Sequence, residues 1–299
     1  MPDAPPPPGA PPEDGRAAAR DAGVKATRFA PPPGTEPIIR FRDVCKAFGP
    51  QVIYNNLSLD VYPGETLTII GGSGVGKSVM LKLLIGLLPI DSGSILAFGE
   101  EVTEMSEAQL LKVRARVAML FQGAALFDSM TVADNIKYPL VQNGWRSETE
   151  MDQRVEEVLA MVDMPGIQHK FPAQLSGGMR KRVGLARAIA MKPEVILYDE
   201  PTTGLDPVNV RRINGLILSL QEKLGCTSMV VTHDMDTVFT VTDRLAMVHN
   251  QRIAFTGTPE EARTSPFRYV REFVAGGMGT LNEDLTLSED PGPQPAPRG

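Results

Sequence analysis

The sequence predicts an α/β fold: a mainly parallel core sheet with crossover helices and a smaller antiparallel layer. Between about residues 37 and 275, apolar runs of strand length alternate with stretches of helical period, the pattern of parallel strands joined by crossover helices. Several of these runs are dense in β-branched and aliphatic residues, as strands buried on both faces are. A glycine-rich loop also stands where a strand pattern gives way to a helical one, at Gly71–Ser78.

Taken in order, Ile38–Phe41, Ser58–Val61 and Ile95–Phe98 are short and alternate polar with apolar residues, which assigns them to the antiparallel layer. Thr66–Ile70, Val195–Tyr198, Met229–Thr232 and Leu245–Val248 form the core sheet. Ser147–Glu150 has the S-x-x-E form of a capping box, and Met151, Val155, Val158, Leu159 and Val162 follow on one helical face. The helical pattern runs on to about Ala190, so a mostly helical insert separates the first core strand from the later ones. Asp206 as cap and Pro207 as first-turn residue open another helix, with Ile213, Leu216, Ile217, Leu220 and Leu224 on one stripe and Gly225 at its end. No internal repeat of solenoid or propeller period is present, and the aliphatic stripes are read as core.

Composition narrows the function classes. The 299 residues, 42% of them hydrophobic, suffice for one large core or two coupled lobes. A formal charge of −6 offers no broad basic surface, so nucleic acid is not expected as a partner. Cys45 and Cys226 stand far apart and in no metal-binding spacing, which fits a reducing compartment and no zinc site. The longest apolar stretch, Val79–Ile90, contains Lys82 and Gly86 and is too short to span a bilayer core of about 30 Å. The proline-rich start has no apolar region of a secretory signal, so the chain is expected to stay in the cytoplasm. Residues 1–37 and 276–299 are expected to be disordered tails flanking one folded unit over 38–275.

Gly71, Gly72, Ser73, Gly74, Val75, Gly76, Lys77 and Ser78 satisfy GxxxxGK[ST] between a strand and a helix. Small residues there let backbone N–H groups wrap phosphates at the positive end of the following helix, while Lys77 reaches the outer phosphates and Ser78 can ligate Mg²⁺. Val195–Tyr198 ends in two carboxylates, Asp199 and Glu200. Asp199 is then expected near Mg²⁺ and Glu200 near the water that attacks a γ-phosphate. These two motifs alone admit GTPases, kinases, RecA-like motors and cassette ATPases. The chain holds no N-K-x-D guanine-reading motif, which argues against the first.

Leu175-Ser176-Gly177-Gly178-Met179 resembles the LSGGQ signature of the ATP-binding cassette (ABC) family and precedes Asp199–Glu200, as it does there. Gln122 is similar to the Q-loop glutamine, Gly204-Leu205-Asp206 to the D-loop, His233 to the switch histidine and Phe48 to the adenine-stacking aromatic, with Tyr54 as the alternative aromatic. The resemblance covers about residues 38–275. It implies a P-loop NTPase with a RecA-like core, a small antiparallel β-subdomain and an α-helical subdomain over about residues 123–190. It further implies ATP and Mg²⁺ as ligands, with Ser78, Gln122 and Asp199 at the metal. Two nucleotides would be sandwiched in a homodimer, each between Lys77, Ser78, Gln122, Asp199, Glu200 and His233 of one chain and Ser176, Gly177 and Gly178 of the other. Met179 departs from the Gln of many members, but the anion-contacting Ser176, Gly177 and Gly178 remain.

Phe121–Val132, then Asn135 and Tyr138-Pro139-Leu140, resembles the Q-loop region of the MlaF-type ATPases of Mla/Mce lipid transporters. Met179 fits that subgroup, and Pro266, Val270–Phe273 and Gly276 resemble its short tail motif. The subgroup implies a membrane permease of the MlaE kind, an Mce-domain lipid-binding protein, a small STAS-domain protein as a further candidate, and a place on the cytoplasmic face of the bacterial inner membrane. The alternatives are the ATPase of a polar-solute importer, of the amino-acid kind, and a non-transport cassette protein acting on DNA or ribosomes. The latter is disfavoured because the chain has neither a long coiled-coil insertion nor tandem cassettes.

Overall fold

The computed structural model describes residues 31–276. The expectations for the two tails lie outside the described residues, apart from 31–37 and Gly276. Strands β1 (Ile39–Phe48) and β2 (Gln51–Val61) form an antiparallel hairpin whose register runs from Ile39↔Val61 to Phe48↔Gln51. Both strands are longer than the sequence pattern predicts. Register shifts between Phe41 and Ala47, with Asp43 and Asn56 at positive φ, break the alternation on which the sequence reading depended.

β3 (Thr66–Gly71) is buried at every residue and runs into the loop that opens helix α1 (Lys77–Leu84). β4 (Ser92–Ala97) and β5 (Glu100–Glu101) return to the small sheet, which has the order β2-β1-β4-β5. Phe98, expected in β4, instead turns out of it at φ 56°. Helix α2 (Glu107–Arg116), capped by Ser106 and Gln109, leads directly into β6 (Val117–Leu120).

Three helices follow: α3 (Val132–Gln142), α4 (Glu148–Met161) and α5 (Gly177–Ile189). Each begins at a hydroxyl cap, Thr131, Ser147 or Ser176, whose oxygen accepts the N–H three residues on. Their apolar faces, including Val132, Ile136, Val155, Val158, Leu159 and Val183, are wholly or almost wholly buried together. Burying each such aliphatic side chain stabilises the fold by about 1.5–3 kcal/mol.

The chain then alternates β7 (Val195–Asp199), α6 (Pro207–Leu224), β8 (Thr227–Val231), α7 (Met235–Val241), β9 (Arg244–His249) and β10 (Arg252–Gly257). It closes with α8 (Pro259–Arg263) and α9 (Arg268–Val274). As the sequence predicts, Asp206 caps α6, Pro207 is its first residue, and Gly225 ends it in the left-handed conformation at φ 62°.

The core sheet has the order β10-β9-β3-β8-β7-β6. From β9 to β6 every neighbouring pair is parallel, and β10 alone pairs antiparallel. The loops after β3, β6, β7 and β8 therefore leave the sheet along one edge, where open α/β sheets bind ligands. That single fact gathers the loop at 71–78, Gln122, Asp199–Glu200 and His233.

Candidate active site at the carboxyl edge of the core sheet

The loop from Gly71 to Ser78 is shaped by what lies under it. A Cβ on Gly76 would stand 2.3 Å from Ile53 Cγ2 and 3.1 Å from Tyr54 Oη, and Gly76 sits at φ 98°. A Cβ on Gly71 would stand 2.6 Å from the Val248 carbonyl oxygen. Neither position has room for a side chain, so the backbone can lie flat on the hairpin and on β9. Tyr54, 1% exposed, donates its hydroxyl to the Gly76 carbonyl at 2.5 Å. Tyr54 is therefore a support beneath the loop, whereas Phe48 at the hairpin end is 43% exposed.

Lys77 and Ser78 open α1 at its positive end, while the next two N–H groups, of Val79 and Met80, donate to the cap carbonyl of Gly76. The Lys77 ammonium donates to the Gly71 and Gly72 carbonyls at 3.0 and 2.9 Å. Burial pulls this ammonium below the usual lysine range, and the Glu200 and Asp199 carboxylates oppose the shift. Ser78 Oγ donates to Asp199 Oδ1 at 2.5 Å, joining the loop to the end of β7 across the intervening β8.

Glu200 follows β7 in a left-handed conformation, φ 50°, which a non-glycine residue adopts only under constraint. Its N–H donates to Val231 O at 2.9 Å, and its carboxylate accepts Thr203 Oγ1 at 3.0 Å. His233 Nδ1 lies 3.0 Å from Glu200 Oε1 and 2.9 Å from Oε2. The loop from Gly71 to Val79, with Gln122, Glu200 and His233, encloses an open cleft of about 500 Å³. Gly72, Val75, Asp199 and Phe48 do not line it: Val75 packs on the core and Asp199 is reached through Ser78.

Ser176, Gly177 and Gly178 also lie away from this cleft. Ser176 caps α5 by accepting Met179 N–H at 3.3 Å. A Cβ on Gly177 would meet nothing within 4 Å, but one on Gly178 would meet Asn209 at 3.0 Å. Gly177 is thus open to solvent, while Gly178 is covered by the first turn of α6.

The sequence reading did not single out the cations of α5. Lys181, 7% exposed, donates to the carbonyls of Glu200 and Thr203 at 3.2 and 2.7 Å. Arg187 donates to the carbonyls of Ala125 and Ala124 at 2.8 and 3.0 Å, two residues at positive φ just after Gln122. The signal available was spacing, since Lys181 falls one turn from Gly177 on the same face.

The family model of the ABC transporter matches residues 54–203. The probable ribonucleotide transport ATP-binding protein mkl of Mycobacterium leprae is 38% identical over 258 residues, covering 84% of this chain and 74% of that protein. The intermembrane phospholipid transport system ATP-binding protein MlaF of Haemophilus influenzae is 38% identical over 239 residues, covering 80% of this chain and 90% of that one. The chain belongs to the ABC transporter family. Among solved structures, the dimeric post-hydrolysis state of the ATP-binding cassette MJ0796 bound to ADP and Pi superposes with a TM-score of 0.68. It is 30% identical, and the match covers 74% of this chain and 98% of that one.

As an ABC transporter ATPase, the chain binds ATP and couples its hydrolysis to transport. A triphosphate fits the cleft: the loop backbone, the start of α1 and the Lys77 ammonium supply the positive side that phosphates need. Mg²⁺ fits the adjoining Ser78 and Asp199 oxygens, because this hard cation takes few protein oxygens and completes its shell with phosphate and water. No group of three or more His, Cys, Asp or Glu side chains that could hold a metal ion occurs among the described residues, which leaves that sparse oxygen site as the candidate.

Proposed function

We propose that two copies of this chain sandwich two ATP molecules and drive a membrane permease that moves phospholipid or another hydrophobic molecule, as part of an Mla/Mce-type system. In each site Glu200 polarises the attacking water, His233 orients it against the γ-phosphate, and Lys77 holds phosphate charge. Ser78, Gln122 and Asp199 would hold Mg²⁺, which neutralises charge developing on the phosphates when bound. Ser176 and Gly177 of the second copy would close the site. The separation of Ser176 from the cleft within one chain supports that arrangement, since the signature then serves a neighbour's nucleotide.

The observation that carries the lipid-transport reading is an exposed aromatic surface that follows Gln122 in the chain. Phe127 and Tyr138 are 41% and 40% exposed, with ring centroids 4.9 Å apart, and Val141 is 42% exposed. This ledge is built: Asn135, 0% exposed, accepts Phe127 N–H at 2.8 Å and donates to Phe127 O at 3.1 Å. A buried amide spent on fixing an exposed aromatic indicates a partner for that aromatic. These residues lie in the segment that resembles MlaF-type ATPases, and the match to MlaF spans 90% of that protein. Among the described residues no helix is long and apolar enough to cross a membrane, so the permease would hold this subunit at the cytoplasmic face of the inner membrane.

The test is a pull-down of the full chain from detergent-solubilised membranes, with partners identified by mass spectrometry and vanadate-sensitive ATPase assayed on the same eluate. An MlaE-like permease with an Mce-domain protein is the expected result, a small STAS-domain protein accompanying them or not. A permease with a polar-solute-binding protein would overturn lipid transport and favour the second reading, to which the ribonucleotide-transport relative lends weight.

A further inference from the structure

We propose that Lys181 is a positioning residue for hydrolysis: from the signature helix it fixes the backbone turn that aims Glu200, and so ties each site's base to the signature segment serving the opposite site. The proposal rests on Glu200 acting as the base.

The turn after β7 has to present a carboxylate to the cleft while its own backbone is left-handed at Glu200. Val231 accepts the Glu200 N–H on the sheet side, and the Thr203 hydroxyl holds the carboxylate from within the turn. The Glu200 carbonyl, which points out of the ladder, is met by Thr203 N–H at 3.3 Å and by the Lys181 ammonium at 3.2 Å. The same ammonium takes the Thr203 carbonyl at 2.7 Å, so one cation pins both ends of the four-residue turn.

A buried lysine is an expensive way to satisfy two carbonyls unless its placement matters. Desolvation draws the Lys181 ammonium below the usual lysine range, with Glu200 opposing the shift. Lys181 lies on the face of α5 that carries Gly177 one turn earlier. The start of α5 is in turn packed on α6, because Gly178 lies against Asn209, and Asn209 donates to the α6 cap Asp206 at 2.5 Å. A phosphate drawn to Ser176 and Gly177 from a second copy would therefore act on a segment already bonded to this chain's own Glu200. Occupancy of one site would be felt at the base of the other without any contact between the two nucleotides.

The test compares Lys181→Met, which keeps the apolar stem and removes the donors, with Lys181→Arg, which keeps donors and charge, in the full chain purified with its membrane partners. Lys181→Met is expected to lower kcat about 10–100-fold, the scale of a small misplacement of a reacting group, while the KM for ATP stays within about two-fold. Lys181→Arg is expected to recover most of the rate, and cooperativity in ATP is expected to weaken in Lys181→Met. Placed on Glu200→Gln, Lys181→Met is expected to change the residual rate by less than about two-fold, since the group it positions is already disabled. An equal loss in both backgrounds, or a KM rise that accounts for the whole effect, would overturn the proposal in favour of a purely structural lysine. A slow Glu200→Gln beside an unaffected Lys181→Met would overturn it alone. A Glu200→Gln protein as fast as wild type would remove the base itself, and this inference with it. Should Lys181→Met be recovered only as aggregate, Lys181→Gln, one bond too short to span both carbonyls, carries the same expectations.

Discussion

His233 and Glu200 form a bonded pair at the mouth of the nucleotide cleft, the imidazole Nδ1 lying within 3.0 Å of both carboxylate oxygens. They come from loops after neighbouring parallel strands, so the sheet itself sets their approach. Because each orients the other, their losses should not add. Glu200→Gln is expected to lower kcat about 10²–10⁴-fold, the usual contribution of a general base. His233→Ala should fall in the same range, and the double variant should be little slower than the worse single one. Single-turnover hydrolysis of the three proteins checks this. Glu200→Gln should also accumulate an ATP-bound dimer on size exclusion, and full multiplication of the two losses would show that they act independently.

Tyr54 supports the phosphate loop from below, so Tyr54→Phe isolates one hydrogen bond without opening a cavity. The Gly76 carbonyl keeps bonds from Val79 and Met80 N–H at 2.7 and 3.2 Å, which places the cost at the low end of about 0.5–1.5 kcal/mol. In a domain of this size that is a fall in Tm of about 2–4 °C per kcal/mol. The KM for ATP should rise modestly with kcat nearly unchanged. Gly76→Ala, by contrast, meets Ile53 at 2.3 Å and a left-handed backbone together, and should abolish nucleotide binding. A Gly76→Ala protein that bound ATP normally would show that the loop rests on the hairpin less tightly than its contacts indicate.

Most of the chemistry at this edge was legible in the sequence because it sits on contiguous motifs at strand ends, and buried parallel strands such as β3 and β7 announce themselves as unbroken apolar runs. β10 and β5 were not seen. β10 has only partly buried residues around Phe255, and β5 is two glutamates whose strand character comes wholly from pairing with Leu96 and Ala97. Lys181 and Arg187 escaped for a related reason: each bonds backbone carbonyls of another segment, distant in sequence, and backbone partners leave no trace in side-chain pattern. That Tyr54 is buried and Phe48 exposed could not be read from the sequence.

His249 carries a pH dependence. Its ring stacks on Tyr269 at 4.7 Å between centroids, and burial pulls its pKa below the usual histidine value. As pH falls through about 6.5, the unfolded chain takes the proton first, so it binds more protons than the folded one and stability drops with pH. The contribution is present in full above the unfolded value and is lost progressively toward the depressed folded one. His249→Phe keeps the stacking and removes the titration. Thermal melts at pH about 7 and about 5.5 should show a smaller fall in Tm for the variant than for wild type. Equal falls would mean that His249 titrates alike in both states.

On the proposed reading the aromatic ledge would serve partner recognition apart from hydrolysis, because Phe127 and Tyr138 stand outside the cleft while Gln122 lines it. Phe127→Asp replaces an exposed ring, so its cost to folding should stay within about 0.5 kcal/mol, the usual range for surface changes. ATP affinity of the isolated chain should be unaltered. Recovery of the permease in the pull-down should fall about ten-fold or more, since truncating a central aromatic anchor commonly costs 2 kcal/mol or above. Tyr138→Asp should act in the same direction, and Leu111→Asp, at a residue 61% exposed on α2, serves as a surface control. If Phe127→Asp retained its partners while Leu111→Asp lost them, the docking face would have to be moved to the α2 side of the Q-loop.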